Sequence, residues 1–461
     1  MNGTKAPSLA ARLDVLPVNR WHWYVMSVCC MGMLFDGFDT GIVSPILPKL
    51  ITEWKINEVQ VGLIASAGFI GMAVGSTLFG VIADAVGRLK ALAITLLLYA
   101  ALTGFCALTT GFTSLFIMRI LVGLGLGGLI PVASSYLAEY APTKKRGRFM
   151  SAFTAANQVG VSLSFLAGFT IVVPYGWRWG FVIGALPALL SVFVWRGPPE
   201  SARYLAQKGR IAEAVKIVER LEKRALGKIT VPYDAAVEGE KLNRPLETKI
   251  RYRDLFKGGL AKTTIMIALL WFCWGYSMFG IRMWLPILLT KQLHYTLPLA
   301  LKILTVGSLV GLLGQALGGY TADYWGRKIS IYYSFLLFGA AGYFIFWFGK
   351  DPTVGAIGIF IWNIALSVTA ASSFTYTTEI FPTKVRATGN GFSSSMARVG
   401  GICGPAVVGF IVAKFGMSWI LHVNMALLVL PLIVMFVLGQ ETKGKTLEQI
   451  GEAQLRKARG I

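Results

Sequence analysis

Residues 80–90 read GVIADAVGRLK and residues 319–328 read GYTADYWGRK, so the pattern G-x-x-A-D-x-x-G-R occurs twice in this chain. A second set of residues repeats at nearly the same distance, 239 or 240 residues: Tyr136, Glu139, Pro142 and Arg146 recur as Tyr376, Glu379, Pro382 and Arg386. The chain is therefore predicted to contain two related halves. In a membrane protein, such repeats commonly enclose a central binding site.

The composition indicates that lipid, and not water, surrounds most of the chain. Of 461 residues, 55% are hydrophobic and only 14% are charged, more apolar than a water-facing surface permits. A bilayer-spanning helix needs about 20 apolar residues, and twelve such stretches lie near residues 23–48, 59–83, 91–110, 113–138, 149–173, 178–195, 263–290, 299–323, 329–348, 353–378, 388–413 and 417–438.

We therefore predict an all-α membrane protein with twelve transmembrane helices in two six-helix, pseudo-symmetric halves. The expected divisions are an N-terminal half at 1–196, a cytoplasmic linker at 197–260, and a C-terminal half with a cytoplasmic tail at 261–461. Within the linker, Ile211, Val215, Val218 and Leu221 repeat at helical spacing, which predicts short amphipathic helices.

The net charge of +22 is not read as nucleic-acid binding, because the charge is unevenly distributed between the two sides of the membrane. If the N-terminus is cytoplasmic, 34 of the 44 Lys and Arg residues lie in inside segments, as the positive-inside rule requires. Both termini are thus predicted to be cytoplasmic. The first external loop is short and the one glycosylation sequon, at Asn2, lies on the cytoplasmic side, which favours a prokaryotic inner membrane.

The paired loops, the twelve spans and the duplication resemble the major facilitator superfamily over nearly the whole chain. Further motifs resemble its sugar-porter and organic-ion branches: GFDTG at 37–41, PESARYL at 199–205 and ETKGKTLEQI at 441–450. The seventh span has aromatic residues where sugar porters carry a glutamine pair. LFDGFDTG, together with an arginine in the eleventh span, is similar to the aromatic acid:proton symporters, which carry benzoate-like carboxylates.

This resemblance implies a proton-coupled symporter that imports a small organic anion, with a benzoate-, hydroxybenzoate- or nicotinate-like carboxylate as the expected substrate. Protons, the substrate and the lipid bilayer are the expected partners, and a monomer is expected. No nucleotide-binding loop occurs in the sequence and the three histidines lie at span edges without metal-ligand spacing. We therefore expect no enzyme activity, no cofactor, no metal and no nucleic acid.

Ionisable residues inside a span are costly and are candidates for function. Asp36 and Asp39 are three residues apart on one helix, so both are expected on one face, where two ionised carboxylates would repel. At least one should take up a proton near neutrality. Resemblance to proton-linked sugar porters pairs Asp39 with Arg119 as the proton-coupling pair, with Asp36 beside it. The alternative is a permanent structural ion pair.

Arg398 is the expected ligand of a substrate carboxylate. It follows Arg386 by twelve residues, which puts it about 18 Å along the helix, near the membrane midplane. The repeat relates it to Gln158, beside Asn157. Arg282 lies near the outer end of its span. Its long side chain could equally extend to the membrane interface or line the cavity. The other expected substrate contacts, chosen for aromatic area or polarity in the seventh and tenth spans, are Trp274, Tyr276, Trp362, Asn363 and Tyr376.

The paired loop motifs are expected to form a cytoplasmic gate. Their glycines would permit close helix approach, and Asp84 and Asp323 would contact a helix N-terminus or an arginine across the halves. The full predicted set is Gly80, Asp84, Gly87, Arg88, Glu139, Arg146, Gly319, Asp323, Gly326, Arg327, Glu379 and Arg386.

Two other transport functions stay open on the sequence alone. An organic cation could bind to Asp36 and Asp39, with Arg398 in a structural role. A sugar transporter of the same fold is the other alternative.

Overall fold

The computed structural model describes residues 8–142, 145–231, 237, 252–257, 260–382 and 385–444. Every regular element in these ranges is helical. Twelve helices are long and apolar enough to cross a membrane, as predicted. The predicted C-terminal tail beyond residue 444 and much of the linker, at 232–236, 238–251 and 258–259, lie outside the described residues.

The first half contains a short N-terminal helix and six spans, and two linker helices follow it. The elements are α1 (Leu9–Asp14), α2 (Arg20–Trp54), α3 (Glu58–Val86), α4 (Arg88–Cys106), α5 (Phe112–Tyr140), α6 (Arg146–Ala167), a π-helical turn (Gly168–Val172), α7 (Val173–Tyr175), α8 (Arg178–Gly184), α9 (Pro187–Arg196), α10 (Ala202–Gln207) and α11 (Ile211–Leu226). Helix α6, the π turn and α7 together form the fifth span, and α8 with α9 forms the sixth.

The second half repeats this arrangement with six long helices. After a 3-10 turn (Tyr252–Phe256) come α12 (Leu260–Lys291), α13 (Leu297–Trp325), α14 (Arg327–Phe348), α15 (Pro352–Ile380), α16 (Arg386–Phe415) and α17 (Trp419–Leu438). Helices α4 and α14 begin 239 residues apart, at Arg88 and Arg327, and α2 and α12 begin 240 apart, at Arg20 and Leu260. The structural repeat therefore matches the predicted duplication.

The repeated motif turns the chain sharply between adjacent helices. Gly87 joins α3 to α4 with φ of +112°, and Gly326 joins α13 to α14 with φ of +104°. Only glycine adopts these angles without strain. The glycine in each copy of the motif is therefore required by the backbone of the turn.

The end of the bundle where α1 and Gly444 lie is called the terminus-bearing end below, and the two halves touch mainly at the other end. There Ser66 Oγ in α3 donates to the carbonyl of Ile402 in α16 at 2.7 Å, and Lys291 Nζ lies 3.8 Å from Glu58 Oε1. At the opposite end, a Cβ added to Gly80 or to Gly319 would meet no atom within 4 Å. The predicted close approach at those two glycines is wrong for this state, because the halves are separated there.

The N-terminal segment packs on the linker. Leu9 and Leu13 of α1 are buried where α1 contacts α11. Arg12 forms two hydrogen bonds to Glu222 of α11, at 2.8 and 2.7 Å, and both side chains are at most 2% exposed. Asp14 also accepts a hydrogen bond from Arg146 at 2.9 Å. These contacts attach the linker helices to the N-terminal half.

Candidate functional site

A cavity of about 270 Å³ lies between the halves, near the middle of the long helices. Its size is just below the range of about 300–1,000 Å³ that is usual for small-molecule sites. Ten of the 24 lining residues are aromatic or methionine, from α2, α3, α6, α12 and α15, and they include Phe69, Phe165, Trp271, Trp274, Phe279 and Phe374. Ten others are polar or charged. Phe374 is 60% exposed although it lines the cavity, and it lies near the terminus-bearing end of α15. The cavity therefore opens toward the terminus-bearing end, where α1 and Gly444 lie.

Three ionisable side chains line this cavity within the described part of the chain: Asp36, Arg282 and Arg398. Asp36 is 3% exposed and accepts a hydrogen bond from Asn157 Nδ2 at 2.9 Å. Helices α2 and α6 approach closely here, since a Cβ on Gly37 would lie 2.1 Å from the Asn157 carbonyl oxygen. The glycine thereby allows the amide to reach the carboxylate.

Neither arginine of the cavity forms an ion pair within 4.0 Å to any acidic residue that the structure describes. Arg398 interacts electrostatically with Asp36 across the cavity without direct contact. Arg282 is 5% exposed, so it lines the cavity and does not extend to the membrane interface. Ser44 Oγ donates to the backbone carbonyls of Arg282 and Met283, at 3.1 Å each, which joins α2 to α12 beside this arginine.

Asp39 and Arg119 form a buried ion pair outside the cavity. Arg119 Nη1 lies 3.0 Å from Asp39 Oδ2 and 3.2 Å from Oδ1, with the side chains at most 4% exposed. Thr103 Oγ1 donates to Asp39 Oδ1 at 2.8 Å. Arg119 borders a small void that shares Thr40, Phe69 and Met72 with the main cavity. The pair is thus adjacent to the cavity and separated from it by one layer of side chains.

Asp36 and Asp39 lie on the same side of α2, as the sequence spacing predicts, but they have different hydrogen-bond donors. Three residues of helix correspond to a rotation of about 300°, leaving the two carboxylates about 60° apart around the axis. That difference directs Asp36 to Asn157 of α6 and Asp39 to Arg119 of α5. Each carboxylate therefore has its own hydrogen-bond donor.

Of the predicted substrate contacts, Arg398, Asn157, Arg282 and Trp274 line the cavity, and the other five do not. Gln158 Nε2 donates to the Ser308 carbonyl at 2.8 Å, between the halves. Tyr276 is buried on another side of α12, because residues two apart on a helix do not face the same way and Trp274 faces the cavity. The other three lie within the C-terminal half. Trp362 packs against Phe338, Asn363 Nδ2 donates to the Ile359 carbonyl, and the Tyr376 hydroxyl accepts from the backbone N–H of Gln440.

Several lining residues were absent from the predicted set. Asn390 and Ser393 of α16 lie on the cavity, and Asn390 Oδ1 is buried without a partner among the described atoms. A polar residue two turns before Arg398 on an apolar span was a usable signal for Asn390. No sequence signal marked Phe69 and Met72 of α3 as cavity residues, because an apolar residue on a membrane helix can equally face lipid.

The paired motifs form similar ion-pair networks, one in each half. Arg88 lies 3.1 Å from Asp84 and 3.9 Å from Glu139, and in the second half the corresponding Arg327 lies 3.1 Å from Asp323 and 2.9 Å from Glu379. The predicted contacts of Asp84 and Asp323 across the halves are absent from the described residues, since the halves are apart at this end.

Two glutamates of the quoted family motifs complete these networks, and the predicted set lacked them. Glu200 accepts from the backbone N–H of Leu89 at 3.0 Å, and Glu441 accepts from those of Arg327 and Lys328 at 3.0 Å. Each carboxylate therefore caps a helix N-terminus, where negative charge is stabilising. Arg386 donates to the Phe381 carbonyl at 3.3 Å.

Twelve spanning helices in two repeated halves around a central cavity define a multi-pass membrane transporter. The sequence also matches the family model described as Major Facilitator Superfamily, over residues 29–393 and 303–459. The chain belongs to the major facilitator superfamily, which confirms the family predicted from the paired motifs.

Named relatives and solved structures agree with this assignment. The chain is 34% identical over 450 residues to the niacin transporter NiaP of Acinetobacter baylyi, covering 96% of this chain and 99% of the relative. It is 28% identical to the benzoate transport protein of the same organism, covering 87% and 86%. The inward-open xylose transporter XylE of E. coli has the same fold, with a TM-score of 0.73 at 21% identity, covering 94% of this chain and 100% of XylE.

Proposed function

We propose that this protein is a proton-coupled symporter that imports a small aromatic carboxylate across a prokaryotic inner membrane, with both termini cytoplasmic. The observation that carries the proposal is a cavity with an aromatic wall and two arginines that lack a direct acidic partner in the described chain. Two relatives are named as transporters of niacin and of benzoate. Each of these compounds is a carboxylate on a single aromatic ring, a shape and charge that suit this cavity.

Arg398 is the proposed ligand of the carboxylate. A guanidinium is planar and donates two parallel hydrogen bonds to a carboxylate, and Arg398 reaches the cavity from the middle of α16. Asn157 and Arg282 are the additional polar contacts. The indole rings of Trp271 and Trp274, whose centroids are 5.3 Å apart, provide apolar surface for the aromatic ring of the substrate.

Asp39 is the proposed proton carrier. Its carboxylate is held by Arg119 and Thr103, so a proton can bind only when this ion pair opens. Protonation would leave Arg119 without its counter-ion and favour a rearrangement of α2 against α5. Coupling follows if substrate and proton together permit the change between the two open states. The ion-pair networks of the paired motifs are the proposed gate at the terminus-bearing end.

The two alternative substrate classes suit the cavity less well. An organic cation would share a water-poor space with two guanidinium groups and one carboxylate, which is electrostatically unfavourable. A sugar could use the hydroxyl and amide groups of the lining, but it would leave Arg282 and Arg398 without an anion to bind. A monomer remains the expected assembly, because both halves of the site come from one chain.

The test is uptake of labelled aromatic acids into proteoliposomes, with and without an inward proton gradient. We expect saturable uptake of nicotinate or benzoate that requires the gradient. Saturable movement of an organic cation, without uptake of any acid, would overturn the proposal.

A further inference from the structure

A buried tyrosine hydroxyl lies beside the proposed proton carrier and has no part in the site described above. Tyr99 of α4 is fully buried, and its hydroxyl has no hydrogen-bond partner among the described atoms. Buried polar groups are nearly always hydrogen-bonded, and a phenylalanine would fill the same space without burying a hydroxyl. The hydroxyl is therefore a candidate for a function in another state of the protein.

Helix spacing places Tyr99 next to both aspartates of α2. Thr103 follows Tyr99 by four residues, so the two side chains lie on one face of α4. Thr103 Oγ1 donates to Asp39 Oδ1 at 2.8 Å. Tyr99 interacts electrostatically with Asp39 and with Asp36, without a hydrogen bond to either among the described atoms. The tyrosine thus lies beside the acid that lines the cavity and the acid outside it.

Asp39 needs a route for its proton, because it does not line the cavity. Side chains separate its ion pair with Arg119 from the cavity. Asp36, in contrast, lines the cavity, so water can reach it while the cavity is open. A group that contacts both carboxylates would connect Asp39 to this water.

Asp36 also has an oxygen without a partner. Its Oδ2 accepts from Asn157 Nδ2, but its Oδ1 is buried without a hydrogen bond among the described atoms. A tyrosine hydroxyl can donate one hydrogen bond and accept another at the same time. After a side-chain rotation, Tyr99 would therefore bond to Asp36 Oδ1 on one side and to Asp39 on the other.

We propose that Tyr99 relays the proton between Asp36 and Asp39. Once Arg119 has moved away, Asp36 holds a proton taken from the cavity water and passes it to the Tyr99 oxygen, while the original hydroxyl hydrogen of Tyr99 passes to Asp39. One O–H bond of Tyr99 forms and one breaks, so the tyrosine stays neutral. Asp36 returns to a carboxylate and Asp39 becomes a carboxylic acid.

The reverse sequence releases the proton when the cavity opens at the terminus-bearing end. Asp39 then pairs with Arg119 again and the hydroxyl of Tyr99 has no partner, which is the arrangement described here. The inference rests on the proposed function, in which Asp39 carries the proton. It adds the route by which this proton enters and leaves.

The test is Tyr99→Phe, which removes one oxygen and no hydrogen bond of the described state, so the variant should fold. Proteoliposomes with labelled nicotinate or benzoate provide two measurements. Uptake driven by an inward proton gradient should slow by at least about tenfold, since a positioned group speeds proton transfer by that factor or more. Counterflow, in which the proton stays bound, should continue at the wild-type rate.

Tyr276→Phe is the matched control. Tyr276 of α12 is also buried with a hydroxyl that lacks a partner among the described atoms, but its titratable neighbour is Cys403 and not an acid. This variant should leave the rates of uptake and of counterflow unchanged.

Asp36→Asn interrupts the same route at its other end. The ratio of gradient-driven uptake to counterflow should fall as it does in Tyr99→Phe. The two changes combined should lower the ratio no further than either one alone, because residues of one relay are not additive.

Three results would contradict the inference. Wild-type uptake in Tyr99→Phe would exclude the relay and leave the proposed function in place. Equal losses of uptake and counterflow in Tyr99→Phe would assign the tyrosine a purely structural role. If the wild-type protein shows no gradient-driven uptake of either acid, the proposed function fails and the relay fails with it.

Discussion

Arg119 of α5 and Asp39 of α2 are joined by a buried ion pair in which Nη1 lies 3.0 Å from Oδ2, with Thr103 donating to the other carboxylate oxygen. The pair adjoins the central cavity but is not part of its lining. A proton that binds to Asp39 would therefore not need to contact the substrate directly. Coupling would act through the packing of α2 against its neighbours.

Asp39→Asn is expected to abolish accumulation driven by a proton gradient, because an amide cannot bind and release the proton. Exchange of external for internal substrate, which needs no net proton movement, should continue. The measurement is uptake with a gradient beside counterflow without one, in proteoliposomes. Glu213→Gln, at an exposed acid of α11 paired with Arg210, is the matched control. Gradient-driven accumulation that persists in Asp39→Asn would assign the pair a purely structural role.

Arg398→Ala is expected to weaken binding of an aromatic carboxylate by about thirtyfold or more, since truncating one partner of a buried charged contact costs about 2 kcal/mol or more. Arg398→Lys should recover only part of the affinity, because an ammonium group cannot make the two-pronged contact. Equilibrium binding to purified protein measures both. Arg253→Gln, at an exposed arginine, should leave affinity unchanged. Equal affinity of Arg398→Ala and wild type would exclude Arg398 from the site.

The Arg12–Glu222 pair is expected to hold α1 on the linker in a pH-dependent way. Burial alone would raise the pKa of Glu222, but hydrogen bonds from Arg12 and Thr230 outweigh it, and the pKa lies below its ordinary value. A lowered pKa in the folded state gives stability that is present above the usual glutamate value of about 4.3 and is lost as the pH falls below it. Hydrogen exchange of residues 9–14, corrected for the intrinsic rate, should accelerate on acidification.

Substitution tests the same contact at neutral pH. Arg12→Ala leaves a buried carboxylate without its partner, a loss of about 3–5 kcal/mol, so exchange in α1 should accelerate at least about tenfold. Arg12→Met combined with Glu222→Leu replaces both charges by apolar groups and should retain most of the protection. If α1 is equally protected from hydrogen exchange in Arg12→Ala and in the wild type, the buried leucines of α1 are sufficient to hold it on the linker.

Gly62→Val is expected to disfavour the conformation in which the cavity opens at the terminus-bearing end, because the valine side chain would collide with the other half. A Cβ at this position would lie 2.5 Å from the Pro405 carbonyl oxygen, at the end where the halves touch. A cysteine introduced at Ser394, which lines the cavity, should then react more slowly with a thiol reagent added on the terminus-bearing side. Gly391→Ala is the control, since a Cβ there meets nothing within 4 Å. An unchanged labelling rate in Gly62→Val would contradict this prediction.

Sequence reasoning was most successful where a single residue type has one physical meaning. Charged residues inside apolar spans are costly, so Asp36, Asp39, Arg119 and Arg398 were identifiable without a structure, and all four lie at the cavity or beside it. Aromatic and amide residues were harder to assign. Trp362 and Tyr376 were predicted at the site but are buried inside the C-terminal half, because a membrane helix is apolar on its lipid, core and cavity faces alike.

Hydropathy, length and repeated motifs were sufficient to predict the number of spans, the duplication and the family, because all three can be read along the chain. The folded arrangement was needed to show that Arg282 lies in the cavity, that Asp36 and Asp39 have different donors, and that the ion pairs of the paired motifs lie within the halves. Each of these depends on a helix rotation of a few tens of degrees or on how the halves meet. Spacing along one helix does not specify the rotation of its neighbours.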